Sequence, residues 1–122
     1  MKILIVDDSI TMRRIIANSL KAAGYEDFVE AGNGMEALER VEGIDLILTD
    51  WNMPGMDGLS FVKQIRQNAQ TAKIPIIMVT AEGTKDSVLE ALKAGVNDYI
   101  VKPFTKTIII EKLSGVLKRQ GA

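Results

Sequence analysis

Five residues carry side chains that could do chemistry together: Asp7, Asp8, Asp50, Thr80 and Lys102. Three carboxylates gathered in one place repel each other. At about 4–5 Å and an effective dielectric of about 20, each pair costs on the order of 3–4 kcal/mol. Such a cluster either raises a carboxyl pKa or binds a cation. Oxygen-only ligands suit a hard ion: Mg2+ takes one or two carboxylates, several waters and a substrate phosphate, and Mn2+ can substitute in the same donor set. Lys102 adds a point charge that pairs with a carboxylate or a phosphoryl oxygen, and Thr80 adds a hydroxyl donor. A carboxylate nucleophile beside Mg2+, a lysine and a hydroxyl is a constellation for phosphoryl transfer. Each residue also has a plainer use. Asp8 or Ser9 can cap a helix, and Asp50 can be a turn residue ahead of Pro54-Gly55. Thr80 can open a loop, and Lys102 can balance a carboxylate.

The elements that must hold these residues follow from two alternating periods. Apolar runs of strand length lie at Lys2–Val6, Asp27–Ala31, Asp45–Thr49, Pro75–Thr80 and Asp98–Val101. They are rich in Ile, Val and Leu, as strands buried on both faces are. Helical spacing fills the gaps. Met12, Ile16 and Leu20 recur at i, i+4 ahead of Gly24, a glycine stop. Ala37, Leu38 and Val41 mark a second helix ending near Gly43. Leu59, Val62, Ile65 and Arg66 mark a third, opened by Asp57. Val88, Leu89 and Leu92 mark a fourth, ending at Gly95, and Ile109, Leu113, Val116 and Leu117 a fifth. Strict alternation predicts an α/β fold, a doubly wound (βα)5 parallel sheet with helices on both faces. Five strands fit the flavodoxin-like order 2-1-3-4-5, in which ligands sit beyond the carboxyl ends of the strands where the order reverses. The first strand ends in Asp7-Asp8, the third in Asp50, the fourth in Thr80 and the fifth in Lys102. Independent caps and turns have no reason to converge on one rim in this way.

Composition narrows the chemistry. The 122 residues, 47% apolar and 25% charged, are the size and make-up of one globular domain, expected to have no attached output domain and to be monomeric. Fifteen Lys and Arg against sixteen Asp and Glu give a net charge of −1, which argues against a general nucleic-acid binder. With no Cys there is no disulfide, thiolate metal site or thiol nucleophile. With no His there is no Ser-His-Asp triad and none of the common zinc sites. The apolar run Ile3–Val6 is too short for a signal segment or a membrane span, so a cytoplasmic protein without membrane insertion is expected.

Some patterns mislead. Gly32-Asn33-Gly34-Met35-Glu36-Ala37 fits the dinucleotide fingerprint G-x-G-x-x-A. Its strand is predicted at the sheet edge, away from the strand bearing Asp50, and an acidic rim repels a pyrophosphate. A turn that starts a helix explains it. The basic pairs Arg13-Arg14 and Lys118-Arg119 read as solvated helix faces. Met12, Met35 and Met78 read as core filler, while Met53 and Met56 pack the loop after Asp50.

Five stretches carry a close resemblance to the receiver domains of two-component signalling, in their single-domain chemotaxis form. They are ILIVDDS (Ile3–Ser9), TMRRII (Thr11–Ile16), LTDWNMPGMDG (Leu48–Gly58), PIIMVTAE (Pro75–Glu82) and YIVKPFT (Tyr99–Thr105). The resemblance covers the whole chain. It implies that Asp50 accepts a phosphoryl group from a histidine kinase. It implies Mg2+ held by Asp8 directly, by Asp7 largely through water, by Asp50 and by the Asn52 backbone carbonyl. Thr80, Lys102 and backbone N–H groups after Asp50 would contact the phosphoryl oxygens, and the Lys102-Pro103 bond would be cis. Asn52 and Glu82 would position the water that hydrolyses the aspartyl phosphate, with a dedicated phosphatase as a further partner. Tyr99 would swing from an outward to an inward rotamer and remodel a face that includes Lys85, Val88, Leu92, Val101, Thr105 and Lys112. The target implied for that face is a flagellar motor switch protein. Val88, Leu89 and Leu92 form a broad apolar surface that suits either the core or a partner. Two other functions stay in competition: a flavin- or nucleotide-binding module on the same fold, and a metal-dependent aspartyl phosphatase. The latter lacks its usual second Asp, because Asn52 stands there.

Overall fold

Strands and helices alternate from one end to the other: β1 (Lys2–Val6), α1 (Ile10–Lys21), β2 (Asp27–Ala31), α2 (Gly34–Leu38), β3 (Leu46–Thr49), α3 (Gly58–Gln67), β4 (Ile76–Thr80), α4 (Lys85–Ala94), β5 (Asp98–Val101) and α5 (Lys106–Gly121). The computed structural model describes residues 1–121. All strand pairings are parallel and the order is β2-β1-β3-β4-β5, the doubly wound arrangement expected from the pattern.

Successive strand residues point to opposite faces, so the apolar runs divide into two cores. Leu4, Val6, Ile47, Ile76 and Met78 pack with Phe61, Val62 and Ile65 of α3 and with Ala37 of α2 and Ala91 of α4. Ile3, Ile5, Leu46, Leu48 and Ile77 pack with Ile16 and Leu20 of α1 and with Ile109, Leu113 and Val116 of α5. Each fully buried Leu or Ile contributes about 1.5–3 kcal/mol, which makes the three central strands a rigid platform for whatever their carboxyl ends carry.

Side-chain caps start the helices. Ser9, Asn33, Asp57 and Thr84 accept from the backbone N–H of Met12, Glu36, Ser60 and Ser87, a device worth about 1 kcal/mol each. At the end of α1, Tyr25 N–H bonds Leu20 O and Gly24 N–H bonds Lys21 O, with Gly24 at φ +97°. This is the glycine stop that the sequence placed there.

Three expectations shift. The second helix ends at Leu38 rather than near Gly43, because Glu39 and Arg40 donate to residues only three back, Glu36 and Ala37, which tightens and ends the helix. β3 and β4 each begin one residue later than predicted: Asp45 turns its carboxylate to Lys2 N at 2.8 Å, and Pro75 has no N–H for a ladder. Met35 is not core filler. It is 58% exposed, since Gly34, Ala37 and Leu38 carry the inward face of so short a helix. Met78 is fully buried and Met12 packs at the margin of the α1–α5 core. Met53 is buried and Met56 lies against Gly34, so both pack the loop after Asp50 as expected.

Candidate functional site

The register of the sheet brings the acidic residues together. Val6 pairs with Thr49, and Asp50 N–H donates to Val6 O at 2.9 Å, so Asp7 and Asp50 leave adjacent strands side by side. One carboxylate oxygen from each of Asp7, Asp8 and Asp50 lies within 4.8 Å of the others. Asp7 and Asp50 are buried, and Asp8 faces solvent. Lys102, fastened by its N–H to Thr80 O, reaches across from β5. Its Nζ lies 2.8 Å from Asp7 Oδ2 and 2.8 Å from Asp50 Oδ2. The Lys102-Pro103 bond is cis, as the resemblance implied. Thr80 is fully buried at the end of β4, where its hydroxyl accepts from Glu82 N–H. The other oxygens of the two buried carboxylates are also engaged. Asp50 Oδ1 accepts from Trp51 N–H at 2.6 Å and Asp7 Oδ1 from Ser9 N–H at 2.9 Å.

The electrostatics follow from burial against pairing. Burial pushes the Asp7 carboxyl above its ordinary 3.8, and the neighbouring Asp50 charge adds to this. The bonds from Lys102 and Ser9 N–H oppose it without winning. Burial alone would lower Lys102, but its bonds to Asp50 and Asp7 outweigh that and its pKa rises. Lys102 is therefore charged at neutral pH. One fixed cation sits among three carboxylates, and the excess negative charge is open to solvent at Asp8. A shallow cleft of about 460 Å3, lined by Asp8, Asn52, Met53, Pro54, Gly55 and Asp57, leads there. All-oxygen donors, with one exposed and two anchored, fit a hard divalent ion that keeps several waters. Asp8→Asn should therefore raise stability by roughly 1 kcal/mol after solvent screening, seen as a higher urea midpoint, while weakening Mg2+ binding. A lower midpoint would contradict this electrostatic reading.

Two residues matter here that the sequence did not flag. A Cβ on Gly58 would stand 1.9 Å from Asp50 O, and Gly58 N–H bonds Trp51 O at 2.7 Å. The loop after β3 therefore closes back on Asp50 only because residue 58 has no side chain. The signal was an Asp-Gly step at a helix start, indistinguishable from an ordinary cap. Arg13 is the second. The Arg13-Arg14 pair has the sequence pattern of a solvated face, yet the Arg13 side chain is only 15% exposed and bonds Glu30 and the Asp7 carbonyl. Arg14, Lys118 and Arg119 are exposed as expected. The G-x-G-x-x-A stretch belongs to the edge strand and its helix. Asn33 caps α2, and a Cβ on Gly34 would strike Met56 at 2.8 Å, so close loop packing explains its second glycine.

Away from the rim, Tyr99 is inward: it is 8% exposed and its hydroxyl donates to Glu82 O. Burial, with the charges of Glu82 and Asp50, pushes its pKa up to about 12. Asn52 Nδ2 donates to Glu82 Oε1 at 3.0 Å, so Glu82 joins Tyr99 to the loop after Asp50. The face beyond Tyr99 is partly apolar and open. Leu89, Leu92, Val101 and Ile108 are between 40% and 46% exposed, whereas Val88 packs against the core. Lys85 and Thr105 are exposed, and Lys112 is drawn to Asp98 at 3.3 Å. Two further clefts lie around Asn68 and Thr71 and contain none of the candidate residues. Among the described residues, no helix is long and apolar enough to cross a membrane.

Comparison with known proteins points the same way. Residues 3–114 match the response regulator receiver domain family. The chain is 55% identical over 120 residues to the chemotaxis protein CheY1 of Helicobacter pylori, covering 96% of this chain and 97% of that one. It is 54% identical over 120 residues to the chemotaxis protein CheY homolog of Campylobacter jejuni, covering 96% and 92%. Among solved structures, Vibrio cholerae chemotaxis protein CheY4 superposes with a TM-score of 0.88 at 37% identity, covering 95% and 98%. A CheX-CheY-BeF3-Mg2+ complex from Borrelia burgdorferi contains a chain with a TM-score of 0.90 at 26% identity, covering 96% and 89%.

Proposed function

The chain belongs to the response regulator receiver domain family, and from that premise we propose that it is a chemotaxis switch that accepts a phosphoryl group from a histidine kinase onto Asp50. The observation that carries this reading is Lys102 Nζ, 2.8 Å from both buried carboxylates at the edge of an open acidic cluster. An oxygen of Asp50 attacks the phosphorus of the kinase's phosphohistidine. As the O–P bond forms, the N–P bond breaks and the imidazole leaves. The chain has no His of its own, so that imidazole belongs to the partner. Asp7, Asp8, Asp50 and the Asn52 carbonyl would hold Mg2+, or Mn2+ in its place, and the ion would supply charge neutralisation for the transferring group. Lys102 and the Thr80 hydroxyl take the phosphoryl oxygens. The backbone N–H of Trp51 already points at Asp50 and supplies a further donor.

Release follows from the same rim. Asn52 and Glu82, 3.0 Å apart, orient the water that hydrolyses the aspartyl phosphate, which makes the signal short-lived. The protein catalyses only its own phosphorylation and dephosphorylation and is a cytoplasmic switch, not an enzyme acting on other substrates. Capture of the phosphoryl group by Thr80 and Lys102 acts on β4 and β5, and through Tyr99 on the face carrying Lys85, Leu92, Val101, Thr105 and Lys112. Its exposed apolar side chains suit a protein target, the flagellar motor switch. A dedicated phosphatase would be a further partner; the Borrelia burgdorferi complex, in which CheY is joined to CheX, supports a second protein partner for such a chain.

Trp51, the only Trp, follows Asp50 and reports on the site. Its fluorescence should change on addition of Mg2+, and again on addition of acetyl phosphate. The second change should be absent in Asp50→Asn. A variant that still responds to acetyl phosphate would remove Asp50 from the role of acceptor.

A further inference from the structure

Asp7 is tied down on every side. Its N–H donates to Ala31 O at 3.0 Å, Oδ1 accepts from Ser9 N–H and Oδ2 from Lys102. Its carbonyl accepts from Arg13 Nη1 at 2.5 Å. Asp8 hangs between this fixed residue and Ser9, whose hydroxyl caps α1. The direction of the exposed Asp8 carboxylate is then set by the peptide plane between Asp7 and Asp8. The oxygen of that plane is what Arg13 holds. Arg13 is itself oriented by Glu30, whose Oε1 lies 2.8 Å from its Nε. The side chain starts one turn into α1, lies over Gly32, and is 15% exposed.

We propose that Arg13 is a positioning residue for the acidic pair: by pinning the Asp7 carbonyl it fixes the peptide plane from which Asp8 reaches a divalent cation, with Glu30 as its anchor. The proposal rests on the receiver reading above. A guanidinium suits the task because its rigid fork serves two acceptors at once, which the single ammonium of a lysine does not do with the same geometry. Freed of Arg13, the Asp7–Asp8 plane can rotate and carry Asp8 away from Asp7 and Asp50.

Electrostatics and positioning predict opposite signs, which makes the proposal testable. Arg13 is a cation next to a proposed cation site, so removing its charge should tighten Mg2+ binding if charge were all that mattered. Positioning predicts weaker binding, by about tenfold, the loss typical when a group that orients a metal ligand is removed. The experiment titrates Mg2+ alone into unphosphorylated protein, read by Trp51 fluorescence, with urea unfolding in parallel. Arg13→Ala should lose about tenfold in affinity, and Arg13→Lys, which keeps the charge, should lose nearly as much. Arg13→Lys, for which charge alone predicts no change, decides the matter if Arg13→Ala does not fold; Glu30→Gln, on the exposed edge strand, should show a smaller loss. Affinity equal to or tighter than wild type in a folded Arg13→Ala, or in Arg13→Lys where Arg13→Ala is unfolded, overturns the proposal, even if the urea midpoint falls. A wild-type protein that binds no Mg2+ overturns the receiver reading and this proposal together.

Discussion

Lys102→Ala should still fold but should be destabilised at neutral pH by about 3 kcal/mol, the low end for removing one partner of a buried ion pair. The lysine lies 2.8 Å from Asp7 and 2.8 Å from Asp50, and without it two buried carboxylates face each other alone. The pH dependence has a definite sign. Burial already raises Asp7, and loss of the lysine raises it further. A carboxyl whose folded pKa is raised costs stability once pH exceeds its ordinary value, and protonation removes the cost. Lys102 has its own folded pKa raised. Its contribution in the wild type is thus complete at neutral pH and lost only as pH rises beyond the ordinary 10.5. The gap between variant and wild type should accordingly be wide at pH 7 and narrow towards pH 4, measured as urea midpoints. Mg2+ should recover part of the deficit at pH 7, since it supplies positive charge to the same cluster. In function, the variant should take phosphate from acetyl phosphate yet fail to strengthen partner binding, because a phosphate without its cation cannot draw β5 towards the rim. A variant with wild-type stability at pH 7, or one that switches normally, contradicts the role given to Lys102.

Gly58→Val should be the most damaging single change at the site. Even one added Cβ would meet Asp50 O at 1.9 Å, Asp50 C at 2.8 Å and Trp51 Cα at 2.9 Å. These are backbone atoms behind a strand buried on both faces, so no flexible side chain can give way. Overpacking costs 1–3 kcal/mol and occasionally more, and here about 3 kcal/mol or more is expected because the obstacle is backbone. The loop that must move carries Asp50, Trp51 and Asn52, so the Mg2+ response of Trp51 should vanish in whatever fraction remains folded. Gly58→Ala should show the same defects to a smaller degree. Wild-type stability and Mg2+ response in Gly58→Ala would contradict the close approach.

The two variants mark the division between what the sequence announces and what it hides. Lys102 was legible because strand-length apolar runs, read with the alternation rule, put it at the end of β5, on the same rim as the strands ending in Asp7, Asp50 and Thr80. β4 lies between β5 and β3, and the long lysine side chain spans that gap to reach both carboxylates. The order of the sheet, the two-sided burial of β1, β3 and β4, and the convergence of Asp7, Asp8, Asp50, Thr80 and Lys102 follow from period and topology. Gly58 and Arg13 were not legible in that way. Their importance lies in distances to backbone atoms of residues 50 and 7, which no periodicity encodes. Arg13 in particular shares its local pattern with Arg14, and only tertiary contact separates them: one turns in to Asp7 and Glu30, the other out to solvent. Met35 departs from the core expectation because a five-residue helix is too short for its apolar spacing to define a face. Val88 and Leu92 lie one turn apart on the same stripe of α4, and only the packing of the helix decides that Val88 touches the core while Leu92 stays 44% exposed.

The role proposed for Asp50 is to accept a phosphoryl group with the help of a divalent cation held beside it. The direct measurement is to incubate the protein with acetyl phosphate, with and without Mg2+, reduce the acyl phosphate with borohydride, and locate the modified residue by peptide mass spectrometry. One modification per chain is expected, at Asp50, formed with Mg2+ and absent when the ion is chelated beforehand. Modification at another residue, or at Asp50 to the same extent without a divalent ion, would contradict it.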